Sequence, residues 1–241
     1  MAPTIVLITG ANRGIGKGLL QLYLAKPNHT VIAGNRDPDH PTSQALADLP
    51  KAQGTSLLVV KIDATVRSDP AEAFKTLESK GIDHIDILIA NVGIALSWPK
   101  VREVDTDVIQ PHVVTNIYGF LWLFQAAIPV LKKAQRPIWV TIGSSAAYLT
   151  TTYAIMITSL RNMLPTQNAA YAPTKLTGHW YTKAIHIEEP WLTAFPIDPG
   201  WEKATVTVED STEGIVKVID VATRETHGGK MWTYAGSEVP W

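Results

Sequence analysis

Short runs of aliphatic and β-branched residues recur along this chain, separated for the most part by stretches in which apolar positions fall at helical spacing. Thr4–Thr9 (TIVLIT) is the first run, and Gly14–Lys26 then puts Ile15, Leu19, Leu20 and Leu24 on one helical face. Val31–Ala33, Leu57–Ile62 (LLVVKI), Ile85–Ala90 (IDILIA), Ile138–Ile142 (IWVTI), Leu192–Ile197 (LTAFPI) and Lys230–Tyr234 continue the series. Continuous apolar runs of this length suit strands buried on both faces, and strands alternating with helices form βαβ units with right-handed crossovers. The pattern predicts an α/β protein: a doubly wound parallel sheet of about seven strands between two layers of helices. Two long helices are predicted, over roughly Pro111–Ala134 and Ala169–Glu188, the second stopped by Glu188-Glu189-Pro190. Both carry large apolar residues on more than one side (Trp122, Phe124, Trp180, Tyr181). One side suits the sheet and another suits a second copy of the chain.

Composition narrows the choice of partner. The 241 residues are 46% hydrophobic and 18% charged, without repeat, low-complexity tract or linker, so residues 1–241 are expected to form a single domain. A net charge of −1 supplies no basic field for nucleic acid or an anionic membrane. There is no cysteine, which excludes disulfides, thiolate nucleophiles and cysteine metal sites. His112, His179 and His186 lie in helical segments without metal-like pairing, so structural roles and no metal are expected. The start, Met1-Ala2-Pro3-Thr4, lacks the pattern of a secretion signal, and no apolar run approaches the ~20 residues of a membrane span. A cytosolic location is the expectation.

The chemistry begins where the first strand ends. Thr9-Gly10-Ala11-Asn12-Arg13-Gly14-Ile15-Gly16 lies between a strand and a helix. Glycines there let the backbone turn and approach a pyrophosphate, and the helix start offers N–H groups and the positive end of its dipole. This is the context that a dinucleotide-binding Rossmann fold requires. At the end of the second strand an acidic residue would bind the ribose hydroxyls of NAD. Here Asn35 takes that place and Arg36 follows, with Arg13 in the glycine loop. Two guanidinium forks suit a 2′-phosphate, so NADP(H) is the expected cofactor, although a shifted register would bring the Asp37 carboxylate closer.

Tyr171 and Lys175 are spaced i, i+4 at the start of the second long helix and so share a face. A nearby ammonium favours phenolate and lowers a tyrosine's pKa, so the pair can exchange a proton with a carbonyl oxygen. Such a pair is common on helix surfaces. Ser144-Ser145 after the fifth strand and Asn116 in the preceding helix give it a setting.

Taken in order, these motifs resemble the short-chain dehydrogenase/reductase family over nearly the whole chain. The resemblance implies that Gly10, Asn12, Arg13, Gly14, Ile15 and Gly16 belong to the nucleotide loop and that Asp63 meets the adenine. Ala90-Asn91-Val92-Gly93 matches the Asn-Ala-Gly motif after strand four, with Val92 in place of alanine. Asn116 matches the asparagine of the proton relay, Ser145 the serine that positions the substrate oxygen, and Tyr171-Ala172-Pro173-Thr174-Lys175 the catalytic motif. Lys175 would also hold the nicotinamide ribose, and Pro199-Gly200 would form the turn beside the nicotinamide. Trp191–Gly200, Thr223–Gly229 and Val239–Trp241 resemble a fungal norsolorinic acid ketoreductase-like branch. That branch implies reduction of an aromatic polyketide ketone in secondary metabolism. The resemblance also implies a homodimer or homotetramer.

Two departures bear on activity. Ser145 and Tyr171 stand 26 positions apart, more than is usual in the family, and the excess coincides with Thr151–Arg161. After Pro199-Gly200, Trp201 runs straight into Glu202–Val206, leaving no room for the substrate lid, and Thr205 falls one place late for the expected cofactor-binding threonine. An intron read in frame together with a lost exon piece would explain both; a natural variant with a more open site is the alternative. A second reading of function therefore stands beside the reductase: an NADP(H)-binding protein with little turnover, acting as sensor or scaffold. Imine reduction or assistance to a cyclisation also stays open. Trp98 and Trp201 flank the expected substrate mouth, where they could stack on an aromatic ring.

Overall fold

The computed structural model describes residues 2–149, 167–200 and 206–240. The inserted segment Thr151–Arg161 and the stretch from Trp201 to Thr205 lie outside the described residues.

The strands are β1 (Thr4–Thr9), β2 (His29–Asn35), β3 (Ser56–Lys61), β4 (Ile87–Ala90), β5 (Ile138–Ile142), β6 (Thr193–Asp198), β7 (Met231–Thr233) and β8 (Glu238–Val239). They form one sheet in the order β3-β2-β1-β4-β5-β6-β7-β8. Every pairing is parallel except the last, where β8 returns antiparallel on β7. The seven strands of the sequence pattern are all present. The eighth is a two-residue edge strand with no pattern of its own.

The reversal of strand order between β1 and β4 opens a crevice at the carboxyl ends, the usual ligand position in such sheets. Along β1, Val6 and Ile8 point to one core while Ile5 and Leu7 point to the other. The first core contains Ile15, Leu19 and Leu20 of α1 (Gly14–Leu24) and Ile215 and Ile219 of α7 (Val208–Asp220). The second contains Phe74 and Leu77 of α3 (Asp69–Ser79), Phe120, Leu123 and Leu131 of α5 (Gly119–Leu131) and Ile185 of α6 (Ala172–Glu188). Period-two alternation in strands buried on both faces produces this three-layer division. The short helices are α2 (Pro41–Gln44) and α8 (Arg224–His227).

The first long helix differs from expectation in one useful way. It begins at Thr106, not Pro111, with Asp105 as its cap accepting from the Asp107 N–H at 2.9 Å. It runs as α4 (Thr106–Val113), one π-helical turn (Val114–Tyr118) and α5. A π turn within an α-helix often marks a functional position, and here it carries Asn116. By length and composition this 26-residue helix could cross a membrane. In the fold its apolar face covers the sheet, where Phe120 and Phe124 meet Trp139 edge-on.

Candidate active site

The glycine loop is shaped by steric necessity. Gly10 and Gly14 have φ of 65° and 51°, in the left-handed region that side chains disfavour. A Cβ on Gly16 would collide with the Gly10 carbonyl oxygen, so only glycine permits this closeness of turn and helix. The N-cap residue Arg13 makes no side-chain capping bond to α1, and no acidic residue stands in the helix's first turn. Its N–H groups and dipole thus suit an anion, and the residues present fit a dinucleotide pyrophosphate. Arg13, the residue before the helix, is exposed, as is Arg36.

Asn35 ends β2, where the sequence pattern places it, and its side chain is engaged inside the protein. It is fully buried; its Oδ1 accepts from the Ala11 N–H at 2.9 Å and its amide donates to Ser43 at 3.2 Å. With both polar atoms bonded inside the protein, it fastens the loop from below while Arg36 stands at the surface. Asn12 ties the loop's outer side to Thr42 at 2.7 Å. The Asp37 carboxylate caps its own turn at the Asp39 N–H, 2.9 Å away. Asp63 is half-buried after β3 and accepts from the N–H and hydroxyl of Thr65, both at 2.8 Å.

At the end of β4, the Asn91 amide donates to the carbonyls of Thr9 (2.8 Å) and Gly10 (3.3 Å), joining this turn to the glycine loop. Gly93 leaves space for the buried lysine of α6, since a Cβ there would lie 3.1 Å from Lys175 Nζ. The Asn116 side chain spans three elements. Its Oδ1 accepts from the Ile94 N–H at 2.8 Å, and its amide donates to the Ile94 carbonyl at 3.0 Å and to Thr174 at 2.9 Å. It thus locks the turn after β4 to the start of α6.

Ser145 opens a 3-10 turn directly after β5, and Tyr171 is the residue preceding α6. Lys175, one turn on, is buried, and its Nζ donates to the Ile142 carbonyl at 2.7 Å. That Nζ lies 5.9 Å from the centre of the Tyr171 ring. Burial pulls the Lys175 pKa down to about 8, opposed by the negative charge of Asp198. With both forms accessible near neutral pH, the ammonium can release a proton there and the neutral amine can take one up. Trp98 meets the Tyr171 ring edge-on at 5.9 Å and is 54% exposed, so it is open to solvent beside the tyrosine. Pro199 and Gly200 form the turn after β6, with Gly200 at φ 78° and its backbone against the Tyr234 ring.

Three further residues shape the site. Asp198, just before Pro199, is buried, and its Oδ1 accepts from the Ser145 N–H at 3.1 Å and the Gly200 N–H at 3.3 Å. Burial raises its pKa, while those hydrogen bonds and the charge of Lys175 work against the rise. His179 is buried and accepts from the Ser144 N–H at 3.2 Å. Burial brings its pKa down to about 3, so the ring is neutral near pH 7. Thr174 receives the Asn116 bond. The only sequence signal for Asp198 was its place beside the Pro-Gly turn.

Glycine loop, buried lysine and serine turn thus meet at the carboxyl edge of the sheet, and comparison with known proteins agrees. The short chain dehydrogenase profile matches residues 4–189. The chain belongs to the short-chain dehydrogenase/reductase family. A norsolorinic acid ketoreductase of Dothistroma septosporum is 37% identical over 257 aligned positions, covering 99% of this chain and 92% of that one. The norsolorinic acid ketoreductase of Aspergillus parasiticus is 32% identical, covering 99% and 91%. The NADPH-bound carbonyl reductase from chicken fatty liver superposes with a TM-score of 0.85 at 26% identity, over the full length of both chains. This short-chain dehydrogenase/reductase is an oxidoreductase acting on CH–OH and C=O groups, with a nicotinamide cofactor and a small carbonyl substrate. Its ketoreductase and carbonyl reductase relatives support reduction of a ketone.

Proposed function

We propose that this short-chain dehydrogenase/reductase is an NADPH-dependent ketoreductase, a single domain over residues 1–241 that reduces the ketone of an aromatic polyketide to an alcohol. The observation that carries the reading is the buried Lys175, held against Ile142 with its ammonium beside Tyr171. The nicotinamide, when bound, supplies the hydride. Tyr171 donates the proton to the ketone oxygen, and Lys175 keeps the phenol's pKa within reach of neutral pH. Ser145 holds the same oxygen. Asn116 orders the turn after β4 and the first turn of α6, where the tyrosine and lysine stand.

The glycine loop residues Gly10, Asn12, Arg13, Gly14, Ile15 and Gly16 would take the pyrophosphate, with Asn91, Gly93, Pro199 and Gly200 around the nicotinamide half. Arg13 and Arg36, both exposed at the ribose end, favour the 2′-phosphate of NADP(H). Asn35 supports this from beneath, and Asp63 stands at the adenine side. The aromatic substrate is supported by Trp98 at the mouth and by the ketoreductase relatives. The same relatives favour a role in secondary metabolism, and a cytosolic location goes with this reading. Trp180 of α6 and Tyr118 of the π turn are exposed, which favours pairing of two copies through these helices as a homodimer or homotetramer.

NADPH oxidation by the purified protein against a panel of aromatic ketones tests the reading, with Tyr171→Phe alongside. Turnover in the wild type, reduced by about 10² to 10⁴ in the variant, is the expected result. NADPH binding without turnover of any ketone would overturn it and favour the non-catalytic sensor, the reading that the shortened segment after Gly200 supports.

A further inference from the structure

We propose that Asp198 is a positioning residue of this site, one carboxylate oxygen fixing the backbones of Ser145 and Gly200 so that the two rims hold a constant separation. The inference rests on the reductase reading for its catalytic meaning and on geometry for its structural one. Oδ1 of Asp198 accepts from the Ser145 N–H at 3.1 Å and the Gly200 N–H at 3.3 Å. These two residues belong to separate loops, one after β5 and one after β6. Backbone pairing between the two strands ends before it reaches them. The last sheet bond on this side is the Gly143 N–H to the Ile197 carbonyl at 2.7 Å. Beyond that point Asp198 continues the tie through its side chain.

The surrounding elements hold the carboxylate in place. The Tyr234 N–H, just after β7, donates to the Asp198 carbonyl at 2.8 Å. Ser211 of α7 donates to the adjacent Pro199 carbonyl at 2.6 Å. His179, on α6, accepts from Ser144, the neighbour of Ser145. Successive N–H groups of the serine turn thus go to two different buried acceptors. Among the described residues, the charged and titratable groups facing Asp198 are Lys175 from α6 and Tyr148 from the turn after β5. The Tyr234 ring packs on Gly200. The carboxylate supports the Lys175 ammonium, and burial with the Asp198 charge pushes the Tyr148 phenol up, so Tyr148 stays protonated.

An oxygen acceptor at this position is what the tie requires; the negative charge is a separate requirement of Lys175. Asparagine keeps the first and lacks the second, and alanine lacks both. Backbone amide NMR of uniformly ¹⁵N-labelled full-length protein reads the tie without reference to activity. In Asp198→Ala, amide exchange at Ser145 and Gly200 is expected to accelerate together by about tenfold or more, as local opening becomes easier. Asp198→Asn should restore most of that protection, while both amide protons move upfield on a neutral acceptor. In the same variant the ¹³Cε titration of Lys175 should shift to lower pH, a change that a purely structural role would not cause. With NADPH and a ketone, kcat should fall more than KM rises in Asp198→Ala and recover only in part in Asp198→Asn, which restores the acceptor and not the charge that Lys175 requires. Unchanged Ser145 and Gly200 amides in Asp198→Asn would overturn the proposal, even if Asp198→Ala does not fold. Coupled amide changes in a protein that turns over no ketone would keep the positioning role and remove the reductase reading.

Discussion

The Lys175 ammonium donates to the carbonyl oxygen of Ile142 at 2.7 Å, joining α6 to the last residue of the central strand β5. This bond keeps a charge-bearing group in the core, since Lys175 is buried and its pKa is lowered to about 8. The fold therefore prefers the neutral amine. The stability tied to that preference is complete above the ordinary lysine value of 10.5 and is lost as pH falls through about 8. A shift of that size corresponds to a net penalty of about 3 kcal/mol on the buried ammonium at pH 7. Lys175→Met should remove turnover yet raise the melting temperature at pH 7 by several degrees, with little change at pH 10. Thermal denaturation at the two pH values checks this, and a lower melting temperature at pH 7 would contradict it.

Gly16 admits no side chain. Because a Cβ there would overlap the Gly10 carbonyl oxygen, Gly16→Ala must push the loop away from α1. The expected cost is about 1–3 kcal/mol, as for other overpacked sites. Binding of NADPH should weaken by more than that of a ketone. Fluorescence titration with NADPH, paired with thermal denaturation, separates the two effects.

Cofactor preference should reside in two exposed guanidinium groups. If the cofactor is NADP(H) as proposed, Arg36→Ala and Arg13→Ala should each lose a charge-assisted contact to the 2′-phosphate worth about 1.5–3 kcal/mol. The KM for NADPH should rise about tenfold or more in each, with that for NADH nearly unchanged. Equal losses with both cofactors would show that these arginines do not read the 2′-phosphate.

Asn116 joins Ile94 to Thr174 through three hydrogen bonds. Asn116→Ala leaves the Ile94 N–H without that acceptor, and each buried group stranded in this way costs about 1–3 kcal/mol. Both kcat and the melting temperature should drop, because the same side chain supports the turn after β4 and the start of α6. A normal melting temperature with impaired kcat would instead confine its role to proton movement.

Much of this protein follows from local sequence. Buried parallel strands need continuous apolar runs, and a pyrophosphate loop needs glycine where φ is positive, as at Gly10 and Gly14, or where backbones approach closely, as at Gly16, so TIVLIT followed by these three glycines reads directly as strand, turn and helix. Tyr171 and Lys175 were legible because a helix places i and i+4 on one face. Other features depended on residues distant in sequence. Asn35 fits the sequence position of a ribose ligand, yet Ala11 and Ser43 close over it and use both ends of its amide. The π turn around Asn116 and the true helix start at Thr106 escape a 3.6-residue period, because one carries an extra residue per turn and the other depends on a cap. The two-residue strand β8 exists because the end of the chain pairs with β7. Asp198 is an ordinary acidic residue before a Pro-Gly turn until β5 and β6 bring Ser145 and Gly200 to the same oxygen. Sequence determined which elements form, since that depends on neighbours along the chain; tertiary structure decided which polar atoms remain available for ligands, since that depends on the partners that packing brings together.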